Sequence, residues 1–297
     1  MSWRVVVISR RAKLDYKMWQ LVMRTDTETK RVHIDEISVL IIEDTSVSVT
    51  AYLLSELISK KVKVIFCDTK RNPSSELVSY NGSYDCSAKI RNQIKWTDDI
   101  KFSIWTEIVT DKIRKQSEFL RELGKKEESE LLNNYISEMK FNDENNREGH
   151  AAKVYFNAIF GKNFTRSNDC VINAALNYGY SIILSAFNRE CSVNGYITQL
   201  GLFHNNMFNF FNLSCDLMEP FRVIVDRNVV KNKYTEFGTE EKYSLINILN
   251  ETVYINNTEQ YVINAIRIYC RSIFEAINTN DVSAIKLYSI MEVGSEL

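Results

Sequence analysis

The spacing of apolar residues in this chain changes once, near residue 85, and that change constrains the fold. Before it, short unbroken apolar runs such as Val39 to Ile42 are typical of strands buried on both faces. After it, apolar residues recur every three or four positions, as at Ile104 and Ile108, which is the period of an amphipathic helix. We therefore predict an α+β protein, with a small β-rich domain over residues 1–84 and a larger all-α domain over residues 85–297.

Composition supports this interpretation and excludes several classes of protein. The 297 residues include only 9 glycines and 2 prolines, which favours long regular elements. The formal net charge of −1 excludes a global basic field, so any nucleic-acid surface must be a local patch. Six scattered cysteines without a C-x-x-C pair are typical of reduced thiols. We see neither a signal peptide nor an apolar run long enough to span a membrane, and we predict a cytoplasmic protein.

The periodicity of the larger domain predicts six helices, at 85–123, 126–140, 146–160, 168–190, 214–230 and 258–277. Ser167 or Asn168 is a suitable N-cap for the fourth helix. Pro220 lies inside the fifth helix and should kink it near Asp216, because proline lacks a backbone N–H and its ring clashes with the preceding turn. In the smaller domain, the alternation of apolar residues shifts phase at Trp19, which indicates a bulge or a bend.

The stretch from residue 200 to residue 222 holds an unusual set of metal-ligand residue types. His204, Asp216 and Glu219 lie in an otherwise apolar and amide-rich segment. An apolar core gains nothing from such side chains, whereas a divalent cation would bind them. A hydrogen-bonded structural histidine and a capped helix end with solvated acids would produce the same pattern, and the sequence leaves both alternatives open.

Glu148 is a further candidate ligand, about fifty residues upstream. It lies at the head of the apolar stripe of the predicted 146–160 helix, so its side chain should point inward. A first-turn glutamate favoured by the helix dipole is the competing explanation. Imidazole and carboxylates together suit Mn²⁺ and tolerate Mg²⁺, and such sites are typical of phosphoryl chemistry.

Three blocks of sequence resemble the CRISPR-associated spacer-acquisition endonucleases, the Cas1 family. The resemblance covers nearly the whole chain, and in combination the motifs are highly specific. The blocks are the helix Glu148-Gly-His-Ala-Ala152-Lys-Val-Tyr155-Phe156, the segment from Thr165 and Arg166 to Asn173, Asn177, Tyr178, Gly179 and Tyr180, and Gly201-Leu-Phe-His204 followed by Asp216-Leu-Met-Glu219-Pro-Phe-Arg222. The third block is most similar to members that act alongside the RNA-guided nuclease Cas9, in type II systems.

The resemblance implies a metal-dependent DNA endonuclease and integrase that inserts short foreign DNA fragments into a CRISPR array. Glu148, His204 and Glu219 would hold Mg²⁺ or Mn²⁺. Asp216 would be a nearby acid of the catalytic set, which either supports a ligand or coordinates the ion transiently. The N-terminal domain would be a β-sandwich that forms a homodimer, and the α-helical domain would be catalytic. The implied partners are double-stranded DNA (protospacer and CRISPR repeat), a dimer of the smaller protein Cas2, and other type II adaptation proteins.

Five basic residues beside the candidate site are predicted phosphate contacts: Lys153, Lys162, Arg166, Arg222 and Arg227. Arg222 could instead pair with Asp226 or another acid. A non-catalytic helical scaffold that binds DNA or a protein partner is the main alternative function. A helical metal-carboxylate enzyme acting on a small molecule is less consistent with the sequence, because the Glu-x-x-His repeat of helical di-iron sites is absent.

Overall fold

The computed structural model describes residues 4–79 and 82–290 and begins with two sheets. The first has the order β1-β5-β7-β8, in which β8 is antiparallel and the other three strands are parallel. The second has the order β4-β3-β2-β6. The elements are β1 (Arg4–Ile8), β2 (Lys13–Lys17), β3 (Gln20–Arg24), β4 (Thr29–His33), β5 (Ile37–Ile42), β6 (Ser48–Val49), α1 (Ala51–Ser59), β7 (Lys63–Cys67) and β8 (Pro73–Leu77).

The two sheets and α1 enclose a common apolar core, to which β5 contributes one face. Alternate β5 residues, Leu40 and Ile42, lie in that core, whereas Val39 and Ile41 belong to the core of the helical region. All six residues of β5 are therefore buried, as its unbroken apolar run predicts. The phase shift at Trp19 is a tight hairpin between β2 and β3, with positive φ at both Met18 and Trp19.

Helices make up most of the remaining chain, and α3 is the longest at 25 residues. In order they are α2 (Cys86–Ile94), α3 (Asp98–Glu122), α4 (Lys126–Ser137), α5 (Arg147–Phe160), α6 (Val171–Val193), α7 (Asn212–Met218), α8 (Arg222–Asn232), α9 (Thr239–Asn247) and α10 (Val262–Thr279). A 3-10 turn, Glu219–Phe221, joins α7 to α8. None of the helices among the described residues is long and apolar enough to cross a lipid bilayer.

The predicted α+β class is confirmed, and the structure corrects several details of it. The helical region also contains a small sheet of β9 (Thr252–Ile255), β10 (Thr258–Tyr261) and β11 (Tyr288–Ser289), so it is not all-α. The predicted 85–123 helix is two helices. The predicted 258–277 helix begins only at Val262, because residues 258–261 pair with β9.

Two further predictions concern helix ends. The fourth predicted helix begins after Cys170, and neither Ser167 nor Asn168 is its N-cap; Asn168 instead uses its carbonyl to accept a bond from Asn173. The break at Pro220 is present, but it is the 3-10 turn starting at Glu219 and not a kink at Asp216. All six cysteines lie within the described residues and carry free thiols.

Candidate active site

A cavity of about 300 Å³ opens between the helices of the larger region. Its lining comes from α3, α5, α6, α8, the 3-10 turn and two loops, so residues far apart in sequence meet there. The lining residues are Lys112, Gln116, Glu148, Phe156, Arg166, Tyr180, His204, Glu219, Arg222 and Asp226.

Lys112 of α3 lines this cavity and is buried between two carboxylates. Its Nζ donates to Glu219 Oε2 at 2.6 Å and also to Glu148 Oε1. Burial alone would lower the lysine pKa, but the two acids outweigh it and the pKa is raised. Two carboxylates from different elements therefore converge on one cation.

Glu219 is buried in the 3-10 turn and has a second cationic partner. Arg222 Nε donates to Glu219 Oε1 at 2.9 Å, and the guanidinium lies 4.7 Å from the ring centroid of Tyr180. Burial opposes ionisation of Glu219, but Arg222 and Lys112 together lower its pKa to about 2. Glu219 is thus held as a carboxylate.

Glu148 is placed by the start of α5. Asp143 caps this helix, because its carboxylate accepts the backbone N–H groups of Arg147 (2.7 Å) and Glu148 (3.0 Å). The Glu148 side chain is 29% exposed, against 5% for Glu219. Of the two acids that hold Lys112, Glu148 therefore faces the open side of the cavity.

His204 is oriented by Asp216, which is completely buried. Asp216 accepts the backbone N–H groups of Leu202 (2.6 Å), Phe203 (3.0 Å) and His204 (3.2 Å), and it also contacts His204 Nδ1. This hydrogen bond raises the pKa of His204. With Nδ1 engaged by a carboxylate, Nε2 is the ring nitrogen left to act as a ligand, as in carboxylate–histidine–metal arrangements.

Gly201 allows the His204 loop to fold over Asp216. A Cβ at this position would lie 2.4 Å from the His204 carbonyl oxygen and 2.7 Å from Asp216 Oδ2. Any larger residue would therefore push the loop away from the carboxylate that orients His204.

Asp226 lies at another wall of the cavity and is bound by two tyrosines. Tyr155 Oη donates to it at 3.0 Å, and Tyr180 Oη donates to its other oxygen. Burial raises the Asp226 pKa, the tyrosine hydrogen bonds counter this in part, and the resulting pKa is about 6.

The structure brings Glu148, His204 and Glu219 to one cavity and places Asp216 directly behind His204. Of the five predicted phosphate contacts, Arg166 and Arg222 line the cavity, and Arg222 pairs with Glu219 and not with Asp226. The other three do not line it. Lys153 and Lys162 lie exposed outside it, and Arg227 forms a two-pronged ion pair with Glu122.

Lys112 is the functional residue that sequence reasoning missed. A signal for it exists, since Ile104, Ile108 and Lys112 follow one another at four-residue steps along the buried stripe of α3. A lysine in an apolar stripe requires a buried acidic partner. Which acids supply it depends on the tertiary fold.

The residues present fit a divalent cation by their chemistry. Carboxylate oxygens and an imidazole nitrogen are donors suited to Mn²⁺ and Mg²⁺, and both acids already converge on a cation, the Lys112 ammonium. Over residues 4–79 and 82–290, no three histidine, cysteine or acidic side chains are close enough to hold an ion as they stand. The Lys112 ammonium group lies between the two acids, so we expect it to move aside when an ion binds to both of them.

Comparison with known proteins now decides the family. The family model described as "CRISPR associated protein Cas1" matches residues 5–244. The chain belongs to the Cas1 family. Its relatives include the CRISPR-associated endonuclease Cas1 of Neisseria meningitidis serogroup C (strain 8013), which is 35% identical over 231 residues, or 77% of this chain and 76% of the relative. A Cas1 of Francisella tularensis subsp. novicida is 27% identical over 71% of this chain and 73% of its own length.

Solved structures share the Cas1 fold over nearly the whole chain. A casposase bound to an integration product has a TM-score of 0.74 at 17% identity and covers 95% of this chain and 92% of its own. A Cas1 protein from Thermotoga maritima has a TM-score of 0.71 at 16% identity, over 93% and 97% of the two chains. A Cas6-RT-Cas1–Cas2 complex matches with a TM-score of 0.73 at 15% identity, over 97% of this chain and 36% of the longer one.

Proposed function

We propose that this Cas1-family chain is a metal-dependent DNA endonuclease and integrase. In its integrase reaction, a DNA 3′-hydroxyl attacks a phosphodiester of a CRISPR array; water in its place gives hydrolysis. One observation carries the proposal. Glu148 and Glu219 converge on the ammonium group of Lys112, and His204 lines the same cavity. Relatives named as endonucleases and a similar structure bound to an integration product support it.

Glu148, His204 and Glu219 would hold Mg²⁺ or Mn²⁺. When bound, the ion would supply positive charge for the phosphate oxygens and the leaving oxygen of the displacement. Asp216 would keep the His204 ring turned so that its Nδ1 side faces the buried carboxylate. Without a proton acceptor at that position, the ring would be free to rotate or to take the other tautomer.

The cations of the cavity would bind the DNA backbone. Arg166 and Arg222 line the wall beside Tyr180, and both guanidinium groups lie over its ring, at 5.3 and 4.7 Å. Stacked arginines keep a fixed plane and suit phosphate oxygens. Lys112, once displaced from the acids, would be a third cation for the same polyanion. Lys153 and Lys162 would contact phosphates farther out, and Arg227 would have to leave Glu122 to do so.

We propose that residues 1–84 form the β-sandwich domain of a homodimer and that residues 85–297 form the catalytic domain. The dimer would bind double-stranded protospacer and repeat DNA together with a Cas2 dimer and other type II adaptation proteins. A similar structure is a Cas1–Cas2 complex, which supports the Cas2 partner.

Cleavage and strand transfer on branched DNA, with Mn²⁺ and with chelator, test the proposal. We expect both reactions to require the metal and to fall by on the order of 100-fold or more in Glu219→Ala and His204→Ala. Glu28→Ala is the matched control, because it also removes the acid of an acid–arginine pair, with Arg10, but outside the cavity. If Glu219→Ala and His204→Ala act like the parent, the site is wrong and a non-catalytic scaffold is favoured.

A further inference from the structure

Three large apolar side chains project from the loop that follows His204. Met207, Phe208 and Phe210 are 87%, 81% and 69% exposed, and we call these three residues the aromatic ridge. Exposed apolar side chains that cluster in one short segment usually mark a binding surface. The stretch from residue 198 to residue 215 contains no acidic or basic residue apart from His204, so the ridge is uncharged.

Asparagine side chains fix the backbone of the ridge. Asn206 Oδ1 accepts the N–H of Phe208 at 2.9 Å, and Asn209 Oδ1 accepts the N–H of Phe211 at 2.9 Å. The Asn212 amide donates to the carbonyl oxygens of Asn206 and Gln199, both at 3.0 Å. Apolar side chains on a backbone held this firmly lose little conformational entropy when a ligand packs against them.

The ridge begins three residues after His204, and its base is joined to the active site by stacked rings. Phe203 lies parallel to Trp105, with ring centroids 4.5 Å apart, and His204 meets the edge of the same stack. His204 also lines the cavity, together with the cations Arg166 and Arg222. The uncharged ridge therefore belongs to the same loop as His204, which lines a cavity with three basic side chains.

We propose that the aromatic ridge stacks against unpaired nucleobases of the DNA strand whose phosphates enter the cavity. This inference rests on the proposed function and adds to it the side chains that would contact the bases. A single strand presents both chemistries at once, a polyanionic backbone and flat apolar bases, and the site offers a counterpart for each. Aromatic stacking accepts any base, so the ridge would favour unpaired DNA without reading its sequence.

The test uses the full chain, chelator to prevent cleavage, and three fluorescent DNAs. They are a duplex with a single-stranded 3′ tail, the same duplex with an abasic tail, and a blunt duplex. We expect the double variant Phe208→Ala/Phe210→Ala to bind the tailed duplex about 10- to 100-fold more weakly, and the other two DNAs within about twofold of the parent. Both side chains are mostly exposed, so we expect the variant to fold; thermal unfolding checks this.

Tyr84→Ala is the matched control, because Tyr84 is a fully exposed aromatic residue outside the ridge, and it should bind all three DNAs like the parent. Equal weakening on all three DNAs, or none, would overturn the stacking role of the ridge alone. Normal DNA binding with loss of self-association or Cas2 binding would assign the ridge to a protein partner and also overturn it. If the parent binds no DNA, the proposed function fails, and this inference fails with it.

Discussion

Helix α3 buries two lysines three residues apart, and their surroundings differ. Lys112 faces the cavity and is held by Glu148 and Glu219, which come from two other elements. Lys115 pairs with Asp111 of its own helix and lies 4.2 Å from the ring centroid of Tyr288. Burial pushes both lysine pKa values down. For Lys112 the acids reverse the effect and the pKa is raised, whereas for Lys115 the pKa stays lowered.

The difference distinguishes an ion pair within one helix from a cation-binding site built by several elements. The Asp111–Lys115 pair, at i and i+4, is built within one helix and serves the packing of α3 against β11. The acids around Lys112 meet only when α3, α5 and the 3-10 turn have packed together. Two carboxylates brought to one point from a distance form a place for a cation, and Lys112 is the cation that the chain itself supplies.

The largest effect that we expect in this comparison comes from removing each lysine. Lys112→Met would leave buried Glu219 with Arg222 alone and Glu148 without a partner, which should lower the free energy of unfolding by about 3–5 kcal/mol in chelator. Mn²⁺ should restore much of this, because the acids are then free to bind it. Thermal unfolding with chelator and with Mn²⁺ measures the recovery.

Lys115→Met is the matched control for that experiment. It should also destabilise the fold, because Arg114, at 3.1 Å, is then the one cationic partner that Asp111 keeps among the described residues. Mn²⁺ should stabilise this variant no more than the parent. Equal recovery of both variants by Mn²⁺ would show that the two lysines do not differ in the way proposed.

Asp226 lines the same cavity as Lys112 but does not pair with it, and this allows a second test of how the cavity treats its acids. Burial raises the pKa of Asp226 to about 6, against an ordinary 3.8. The folded protein therefore binds this proton more tightly than the unfolded chain. Its contribution to stability is fully present below about pH 4 and is lost as the pH rises through about 6. Asp226→Asn cannot titrate. The stability of the parent relative to Asp226→Asn should thus fall by about 3 kcal/mol between these limits.

Denaturant unfolding at pH values from about 4 to 8 measures this difference. A difference that stays constant across the series would mean that Asp226 ionises at its ordinary pKa. A difference that grows in the opposite direction would mean that the tyrosine hydrogen bonds and arginines outweigh burial.

The smallest effect concerns Tyr288, which contacts Lys115 on one side and the turn that carries Glu219 on the other. Its ring lies under Lys115 and against Phe221, and its hydroxyl donates to the Pro220 carbonyl at 2.8 Å, next to Glu219. Tyr288→Phe should cost about 1 kcal/mol of stability. Because the turn that carries Glu219 loses this anchor, we also expect the Mn²⁺ concentration for half-maximal activity to rise a few-fold, with the rate at saturating Mn²⁺ unchanged.

Tyr269→Phe is the matched control for Tyr288. Tyr269 is also buried against Phe221, but its hydroxyl has no hydrogen-bond partner within the described part of the chain. Losing that hydroxyl should leave both stability and the Mn²⁺ requirement unchanged. If the two variants behave alike, the Tyr288–Pro220 bond does not position Glu219.

Periodicity was sufficient to predict the class of fold, because strands and helices bury their apolar residues at different spacings. It failed at residues 258–261, where the decisive contact is pairing with β9, and at the start of α6, where the chain turns on bonds between Asn173 and the preceding loop. The residue types of the site were visible as His204, Glu219 and Glu148. Lys112 was not visible, because the role of a lysine in a buried stripe depends on its acidic partners, and here the tertiary structure brings those partners from other elements.

The pairing of Lys112 with two acids bears on whether the chain folds before or after it binds a metal ion. Because both acids already pair with the Lys112 ammonium group, and Glu219 also pairs with Arg222, we expect the chain to fold without an ion at this position. Under the proposed function, folding, assembly with partners and binding of DNA could then all precede metal binding. Under the same proposal, the supply of divalent cation would act as a reversible on–off signal on a folded molecule. Withdrawing the ion would stop the chemistry and leave the fold intact.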